Sequence, residues 1–490
     1  MNKTAIAVWI GLLSVMGVKT ALAADTADHS RTGSNLPSST DQSVPNERVG
    51  PRVLMPEPRQ PASPGRPFEE QGRWLLDHGI SVHLGATQIY LRNPSVGLDT
   101  GNHESLTLFD IGADLDMQKI AGLTGGTLHF QQLYVPWTSN ITYGGQVGDV
   151  IVGKPGPYIP KVSHLTLFTY EQKLLEDKLS LEAGKSNAGN YFALPLCNVP
   201  LGCVNAILQD TAGINPPPYA NWSLRLAYDF TPTLRMQAGA WRSNNAYPFT
   251  NGWERSEGDS GGTLSTVYLA NLAYRTDFTI EPYPRSFEVM GFYNNGEQPD
   301  PYYTVNGTSK VQDSSAAART SKGVSGFYLG AKQTFWRADG GQPGVTNPTA
   351  LSAYTSLTHT FDADTANGVG TLGNAGIILS APWRSRPFDS YSVNFNWAQL
   401  TQREQNFLEE AYALSTGGGD YRPGRNEYGV SLDANFVLTD SIIVSPFVTR
   451  TWGASSWLNP YTGETPNDGY AFGLLFHIQI DQLLGLNGLK

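Results

Sequence analysis

A chain of 490 residues with a formal net charge of -10 and no run of Lys or Arg does not suit nucleic acid, whose phosphates select basic surfaces. Charged residues make up only 16% of the chain, while Gly, Tyr and Trp number 52, 23 and 11. This composition favours turns, interfacial aromatic belts and a wall that faces lipid. The mean hydropathy of -0.28 agrees with it, because half of the strand positions in a barrel face water.

The N-terminal residues have the pattern of an export signal. Lys3 precedes an apolar stretch over residues 5–16, and residues 21–23 have the small-x-small form of a signal-peptidase site. We therefore predict a signal peptide over residues 1–23 and a mature chain that begins at Ala24. No later run approaches the ~18 apolar residues that a spanning helix needs, which excludes helical membrane insertion.

Residues 24–70 are rich in Pro, Ser, Asp and Arg and have almost no apolar periodicity. They are predicted to form a flexible leader, which serves either as a spacer or as an arm that binds a partner. Residues 71–77 are predicted to make one helical turn. No second linker follows, so residues 71–490 are predicted to form one large all-β domain.

Short segments of alternating apolar and polar residues fill this domain. We predict sixteen strands: 79–91, 106–118, 125–136, 163–173, 178–186, 221–230, 233–242, 264–275, 286–293, 324–337, 350–361, 371–380, 388–400, 426–437, 441–451 and 469–482. Their connections are by turns short and long, which a soluble β-sandwich does not explain. The pattern is typical of a transmembrane antiparallel β-barrel with short periplasmic turns, long extracellular loops and, for an even strand count, both termini in the periplasm.

Strand parity predicts which side chains face the lumen. In residues 109–117, the carboxylates of Asp110, Asp114 and Asp116 share one face, and Phe109 and Ile111 lie on the other. Unpaired carboxylates are not buried in a dry core, so the acidic face is predicted to be wet. The lumen candidates by parity are Asp114, Asp116, Arg225, Asp229, Arg235, Gln237 and Trp241. Each of the polar ones either contacts solute or is a plain solvated lumen residue, and Trp241 either stacks on solute or lies at the rim.

The long connection over residues 187–220 contains both cysteines, Cys197 and Cys203, and many apolar side chains. In an exported chain, two cysteines six residues apart favour a local disulfide, and two thiols without paired histidines are a poor metal site. An apolar loop of this length is predicted to fold into the barrel and narrow the channel. The alternative is a surface loop that packs on its neighbours.

Residues 258–262 read Gly-Asp-Ser-Gly-Gly, as in the nucleophile segment of chymotrypsin-type proteases. No histidine lies in the matching setting before them, and the chain has no nucleotide-binding glycine loop or zinc motif. We therefore predict a protein that is not an enzyme and has no cofactor.

Several segments resemble the OprB family of carbohydrate-selective porins. The resemblance covers the chain after the leader and is most specific in residues 74–80, 114–127, 170–172, 179–189 and 234–241, together with the cysteine loop. It implies a sixteen-stranded barrel in the outer membrane of a Gram-negative bacterium that lets carbohydrates diffuse into the periplasm, namely monosaccharides and related small polyols or sugar acids. The matching segments add Glu171 and Lys185 to the lumen candidates.

Two features depart from the family pattern. The family usually has Arg at the position of Lys185, and its chains usually stop at an aromatic residue of the last strand, whereas residues 481–490 continue here. Strict alternation turns Lys185 toward lipid, so either a bulge at Gly184 or a place above the membrane is expected to accommodate it. A general or anion-leaning porin, an outer-membrane hydrolase and an adhesive barrel are the alternative functions. A homotrimer and a monomer both stay open.

Overall fold

The computed structural model describes residues 65–488, except 157–158, 217, 245–250, 256–263 and 363–366. The predicted signal peptide, the leader up to residue 64 and the protease-like motif at 258–262 lie outside the described residues.

The described residues form sixteen antiparallel strands that close into one barrel. The strands are β1 (Ile80–Arg92), β2 (His103–Asp116), β3 (Gly126–Thr138), β4 (Val162–Leu174), β5 (Leu179–Ser186), β6 (Asn221–Thr231), β7 (Leu234–Asn244), β8 (Leu264–Arg275), β9 (Arg285–Thr304), β10 (Ala318–Arg337), β11 (Ala350–Thr360), β12 (Val369–Ser380), β13 (Ser390–Leu400), β14 (Asn426–Thr439), β15 (Ile442–Trp452) and β16 (Gly469–Gln479). Each strand pairs with its neighbours in sequence, and β1 pairs with β16 from Gly85↔Gln479 to Arg92↔Phe472. The predicted fold class is confirmed.

Alternation decides which face of each strand points outward. Ile111 on β2 is 51% exposed on the outer surface, while Asp110 beside it is buried toward the lumen. Phe395 on β13 and Phe472 on β16 are likewise exposed outward. The apolar positions of the wall therefore form the surface that faces lipid, as the sequence predicts.

The connections between strands differ in length between the two ends of the barrel. Those of β4–β5, β6–β7 and β14–β15 are tight turns, and they lie at the end of the barrel where β1 begins and β16 ends, here called the terminal end. The longest connections, including those of β3–β4, β5–β6 and β13–β14, lie at the opposite end, here called the loop end. We name three of them: loop 2 (residues 139–161), loop 3 (187–220) and loop 4 (245–263).

Five α-helices are present among the described residues: α1 (Glu69–Asp77), α2 (Met117–Ala121), α3 (Tyr143–Val147), α4 (Gln402–Thr416) and α5 (Ile480–Leu484). The N-terminal and C-terminal segments meet, since Phe68 N donates to Leu484 O at 2.9 Å. Arg66 adds an ion pair to Asp440, with Nη2 and Oδ1 2.6 Å apart. None of the helices in the described ranges is long and apolar enough to cross a membrane.

Two elements at the loop end differ from the sequence prediction. Strands β9 and β10 run well beyond the predicted 286–293 and 324–337, so that they form a long paired hairpin. Helix α4 lies within a connection for which no helix was predicted, and the Thr401 side chain caps it by accepting a hydrogen bond from Glu404 N at 3.1 Å. Phe407 and Leu408 of α4 belong to the same buried apolar cluster as Ile207 of loop 3 and the inward-facing Trp241 of β7. The apolar core therefore lies in the lumen, where the loops fold in.

Candidate functional site

Loop 3 begins at the end of β5, where a side chain at its start bonds to backbone carbonyls near its end. Asn187 Nδ2 donates to Asn215 O and to Tyr219 O, both at 2.7 Å, which ties the start of the loop to its end. Between these points the chain forms two 3₁₀ turns, Ala188–Asn190 and Pro200–Cys203, and a π-helical turn, Ile207–Thr211. The disulfide between Cys197 and Cys203, which the sequence predicts, is present.

The far part of loop 3 is bonded to the opposite wall. Asn198 Nδ2 donates to Asp433 Oδ1 on β14 at 2.8 Å, and Gly202 O accepts from Asn394 Nδ2 on β13 at 2.9 Å. Asn205 Nδ2 donates to Thr358 Oγ1 on β11 at 2.6 Å. Because these strands lie across the barrel from β5, loop 3 spans the lumen instead of standing above it. Inward-pointing amides and hydroxyls of β11–β14 supply the partners.

Trp241 on β7 anchors the near part of loop 3. Its side chain is 1% exposed, Nε1 donates to Ser186 Oγ at 3.1 Å, and Phe192 packs edge-on with ring centres 5.5 Å apart. Alternation correctly turns Trp241 inward. The expectation that it stacks on solute or lies at the rim is wrong, because the apolar side chains of loop 3 cover the indole.

Loop 2 also folds into the lumen and supports loop 3. Lys154 Nζ donates to Asp210 Oδ1 of loop 3 at 2.8 Å, and Val150 N donates to Glu427 Oε2 on β14 at 2.9 Å. The Asp149 carboxyl accepts from Val152 N at 2.8 Å, and burial raises the pKa of this carboxyl. The two loops therefore brace one another at the loop end.

Six charged or titratable side chains form a connected row on the inner face of β1–β6, here called the ladder. Its members, in strand order, are His83, Asp114, His129, Glu171, Glu182 and Arg225. Strand register brings them to one level, since Asp114 pairs with His129, Glu171 with Glu182, and Glu182 with Arg225. Directly opposed residues of antiparallel strands have Cβ atoms about 5 Å apart, so polar side chains in these pairs meet.

One end of the ladder is a carboxylate between two imidazoles. Asp114 Oδ2 lies 2.7 Å from His83 Nε2, and Asp114 Oδ1 lies 2.6 Å from His129 Nδ1. The other ring nitrogen of His129 lies 3.6 Å from Glu171 Oε2. His83 and Asp114 keep 24% and 23% of their side-chain surface exposed, so this end of the ladder borders open lumen.

The other end of the ladder is a buried ion pair that touches loop 3. Arg225 donates to Glu182 Oε2 through Nε at 3.0 Å and Nη2 at 2.7 Å, and to Gln237 Oε1 through Nη1 at 3.1 Å. The guanidinium lies 4.3 Å from the centre of the Tyr191 ring, and Tyr191 OH donates to Glu182 Oε1 at 2.6 Å. Glu171 accepts from Arg225 at 3.4 Å. Loop 3 is thus fastened to the ladder through Tyr191.

Four other lumen candidates are not members of the ladder: Asp116, Asp229, Arg235 and Gln237. Asp116 caps α2, since its side chain accepts from Gln118 N at 2.9 Å, and it is not part of the ladder. Asp229 and Arg235 pair with each other at 2.6 Å near the terminal end, with 30% and 40% of their side chains exposed. Gln237 Nε2 donates to Tyr191 O at 2.7 Å, so it holds loop 3 as well.

Lys185 lies on the outward face, as strict alternation requires, because it pairs with the outward-facing Trp222 and Phe168. Strand β5 keeps its register with both neighbours, so the expected bulge at Gly184 is wrong. Gly184 is needed for another reason: its φ is +139°, and a Cβ would lie 2.2 Å from Phe168 O. Loop 4 buries the lysine, and Gly252 O accepts from Lys185 Nζ at 2.8 Å.

His83, His129 and Glu182 are ladder members that the sequence analysis did not single out. Parity alone assigns them to the inner face, because each alternates with an apolar outward residue. Parity does not say which inward residues of different strands lie at one level. That depends on the register of neighbouring strands, which the sequence pattern leaves open.

A small cleft lies between loop 3 and the wall of β10–β12. Its lining is neutral and includes Asn190, Phe192, Asn205, Tyr328, Ser356 and Asn374. In the parts of the chain that the structure describes, no group of three or more His, Cys, Asp or Glu side chains is placed to hold a metal ion.

A closed sixteen-stranded barrel with an apolar outer wall, a polar inner wall and a loop folded into the lumen is the architecture of an outer-membrane porin. The sequence profile of the carbohydrate-selective porins, OprB family, matches residues 103–474. Porin B of Pseudomonas aeruginosa is 22% identical over 396 residues, which cover 76% of this chain and 82% of that protein. This chain therefore belongs to the OprB family of carbohydrate-selective porins.

A solved structure gives the same fold. The high-pH structure of Pseudomonas putida OprB aligns with a TM-score of 0.70 at 20% identity and covers 83% of this chain and 95% of that one. The trimer form of Vibrio cholerae OmpT aligns with a TM-score of 0.42 at 8% identity and covers 82% and 99% of the two chains. The protein is an outer-membrane porin for the passive diffusion of carbohydrates, which confirms the predicted function over a general or anion-leaning porin.

Proposed function

We propose that this porin selects monosaccharides and related small polyols or sugar acids at a constriction bounded by the ladder on one side and by loop 3 on the other. The observation that carries the proposal is the path of loop 3. The loop leaves β5 beside Arg225, packs along the inner wall of β7–β14 and is bonded there by Asn198 and Gly202. His83 and Asp114 are the ladder side chains that stay partly exposed, at 24% and 23%, so solute is directed toward the inner face of β1 and β2 at their level.

The chemistry of the two sides suits a sugar. Hydroxyl groups both donate and accept hydrogen bonds, and the Asp114 carboxylate, whose side chain is 23% exposed, offers acceptor oxygens to them. Charged partners strengthen such bonds and fix their geometry. The paired charges of Asp229 and Arg235 extend the polar track toward the terminal end. Passage needs only these transient contacts, with no chemical step at the ladder.

The constriction is tested by removing the part of loop 3 that spans the lumen. Deleting residues 194–214 should raise single-channel conductance and abolish discrimination between monosaccharides and larger sugars. A matched control is Asn198→Ala, which removes the side chain that contacts both Asp433 and Ser390 but keeps the loop, and which should raise conductance by less. Unchanged conductance after the deletion would overturn the role of loop 3.

Selectivity for carbohydrate is tested by liposome swelling, which compares the entry rate of glucose with that of an amino acid of equal size and no net charge. The proposal requires faster entry of glucose, because an amino acid has fewer hydroxyls to satisfy the polar groups along the track. Equal rates would show a general pore. The double variant Glu182→Gln with Arg225→Gln removes both charges of the buried ion pair in the ladder. It should reduce the difference in entry rate between glucose and the amino acid.

We also propose that the terminal end lies in the periplasm and the loop end outside the cell. This orientation is supported by the tight turns at the terminal end and the meeting of α1 with the C-terminal segment there. An epitope tag after residue 490 should be reached by antibody only in permeabilised cells. A tag placed in the exposed hairpin turn at residues 306–307 should be reached in intact cells, and the reverse result would invert the orientation.

A further inference from the structure

Two carboxyl side chains at the loop end are buried without a positive partner among the described residues. Asp149 of loop 2 and Glu427 at the start of β14 are both 0% exposed. Each has one bonded oxygen, since Asp149 Oδ1 accepts from Val152 N at 2.8 Å and Glu427 Oε2 accepts from Val150 N at 2.9 Å. The second oxygen of each, Asp149 Oδ2 and Glu427 Oε1, has no hydrogen-bond partner in the part of the chain that the structure describes.

This pair of carboxyls needs compensation. Burial makes an ionised carboxyl costly unless a positive charge or several hydrogen-bond donors compensate it. Asp149 is also close enough to repel a negative charge on Glu427, and the buried Ser455 hydroxyl that adjoins Glu427 is neutral. Two such carboxylates require a positive charge between them. No basic side chain in the described ranges forms an ion pair with either.

A third buried oxygen lies at the same place. Thr451 on β15 is 0% exposed, and its Oγ1 has no hydrogen-bond partner among the described residues. The residues directly opposite it on both neighbouring strands are glycines, Gly429 of β14 and Gly469 of β16. Ile151 of loop 2 covers Gly429, because a Cβ at that glycine would lie 2.9 Å from Ile151 Cγ2. Glu427 lies two residues before Gly429 and shares its inward face, so the Thr451 hydroxyl is a diagonal neighbour of that carboxyl.

We propose that Asp149, Glu427 and Thr451 bind a calcium ion at the loop end. All three supply oxygen, which suits a hard cation and does not suit zinc or copper. Ca²⁺ takes 6–8 oxygen ligands in flexible geometry, so backbone carbonyls and water can complete its shell, whereas Mg²⁺ demands a near-ideal octahedron. The charges balance, because one divalent cation neutralises two carboxylates.

The ion fastens loop 2 to the wall of the barrel. Asp149 belongs to the loop, whereas Glu427 and Thr451 belong to β14 and β15, so one ligand set joins the two parts. Loop 2 in turn holds loop 3 through Lys154 and Asp210. The calcium site therefore stabilises the arrangement of both loops, and it does not depend on which solute passes the ladder.

The experiment uses the purified full-length porin, which is freed of divalent ions with EDTA and then dialysed against ⁴⁵Ca²⁺. Because the number of charged ligands sets the affinity of such sites, we expect one ion per chain with half-saturation at about 10⁻⁴–10⁻³ M. Mg²⁺ should compete weakly. Bound calcium should also slow hydrogen exchange over residues 143–156. An absence of saturable binding overturns the proposal and means that the carboxyls are protonated instead.

Three variants locate the ion. Asp149→Asn with Glu427→Gln keeps the shape of both side chains without their charge, and it should weaken calcium binding by about tenfold or more and remove the effect on exchange. The matched control is Asp99→Asn with Glu464→Gln, two exposed carboxyls of the loop end, which should bind as the wild type does. Equal affinity of the two double variants overturns the assignment. Thr451→Val removes one neutral ligand and should weaken binding by a smaller factor, and unchanged affinity in this variant overturns the assignment even if the first double variant does not fold.

Discussion

Replacing Arg225 by leucine removes the cation that donates two hydrogen bonds to Glu182, at 3.0 and 2.7 Å. Glu182 and Glu171 are directly opposed in the pairing of β4 with β5, so the variant leaves two neighbouring carboxylates without that cation between them. Removing one partner of a buried ion pair typically costs about 3–5 kcal/mol, because the other charge stays buried. We expect the free energy of unfolding to fall by about this amount.

The loss should be recovered when the buried charge is removed as well. In the double variant Glu182→Leu with Arg225→Leu, no unpaired carboxylate is left at position 182, and the two changes couple strongly because the residues are in contact. The matched control is Arg235→Leu, which breaks the pair with Asp229. That pair is 40% and 30% exposed, so its loss should cost less than about 1 kcal/mol.

The assay is urea unfolding of the barrel refolded into lipid vesicles, followed by tryptophan fluorescence. A second readout is single-channel conductance, since Tyr191 of loop 3 lies under the Arg225 guanidinium and should lose its fixed position. If Arg225→Leu destabilises the barrel no more than Arg235→Leu does, or if the double variant is worse than the sum of the single ones, the ladder is not the buried network described here.

Three further predictions address the loops. Replacing both Cys197 and Cys203 by serine should lower the free energy of unfolding by about 2 kcal/mol and increase open-channel noise, and an unchanged urea midpoint would contradict a stabilising disulfide. Trp241→Ala should cost about 3–5 kcal/mol and raise conductance, whereas a large cost with unchanged conductance would mean that the indole does not hold loop 3. Burial raises the pKa of Glu404 from 4.5 to about 8, so the stability it contributes to docking of α4 is fully present below pH 4.5 and is lost as pH rises through 8. Hydrogen exchange over residues 402–416, corrected for intrinsic rates, should accelerate as the pH rises from 4.5 to about 8 and then level off in the wild type, but should show no such change in Glu404→Gln.

The sequence by itself determined the wall of the barrel. Alternation with a period of two fixes which residues face lipid and which face the lumen, and this assigns Ile111 outward and Asp110 inward without knowledge of any partner strand. The lengths of the connections then fix which ends of the strands lie together. Even Lys185 obeys the alternation, although only the structure reveals the loop 4 segment that covers it.

Tertiary structure alone decided the site. Which inward residues meet depends on register, so the candidates from the sequence include Asp114, Glu171 and Arg225 but not His129 and Glu182, which lie between them in the ladder. The fate of Trp241 depends on where loop 3 lies, and loop 3 is held by hydrogen bonds to strands more than a hundred residues away. Local periodicity carries no information about contacts at that separation, which is why it gave the face of each ladder residue and not its partner.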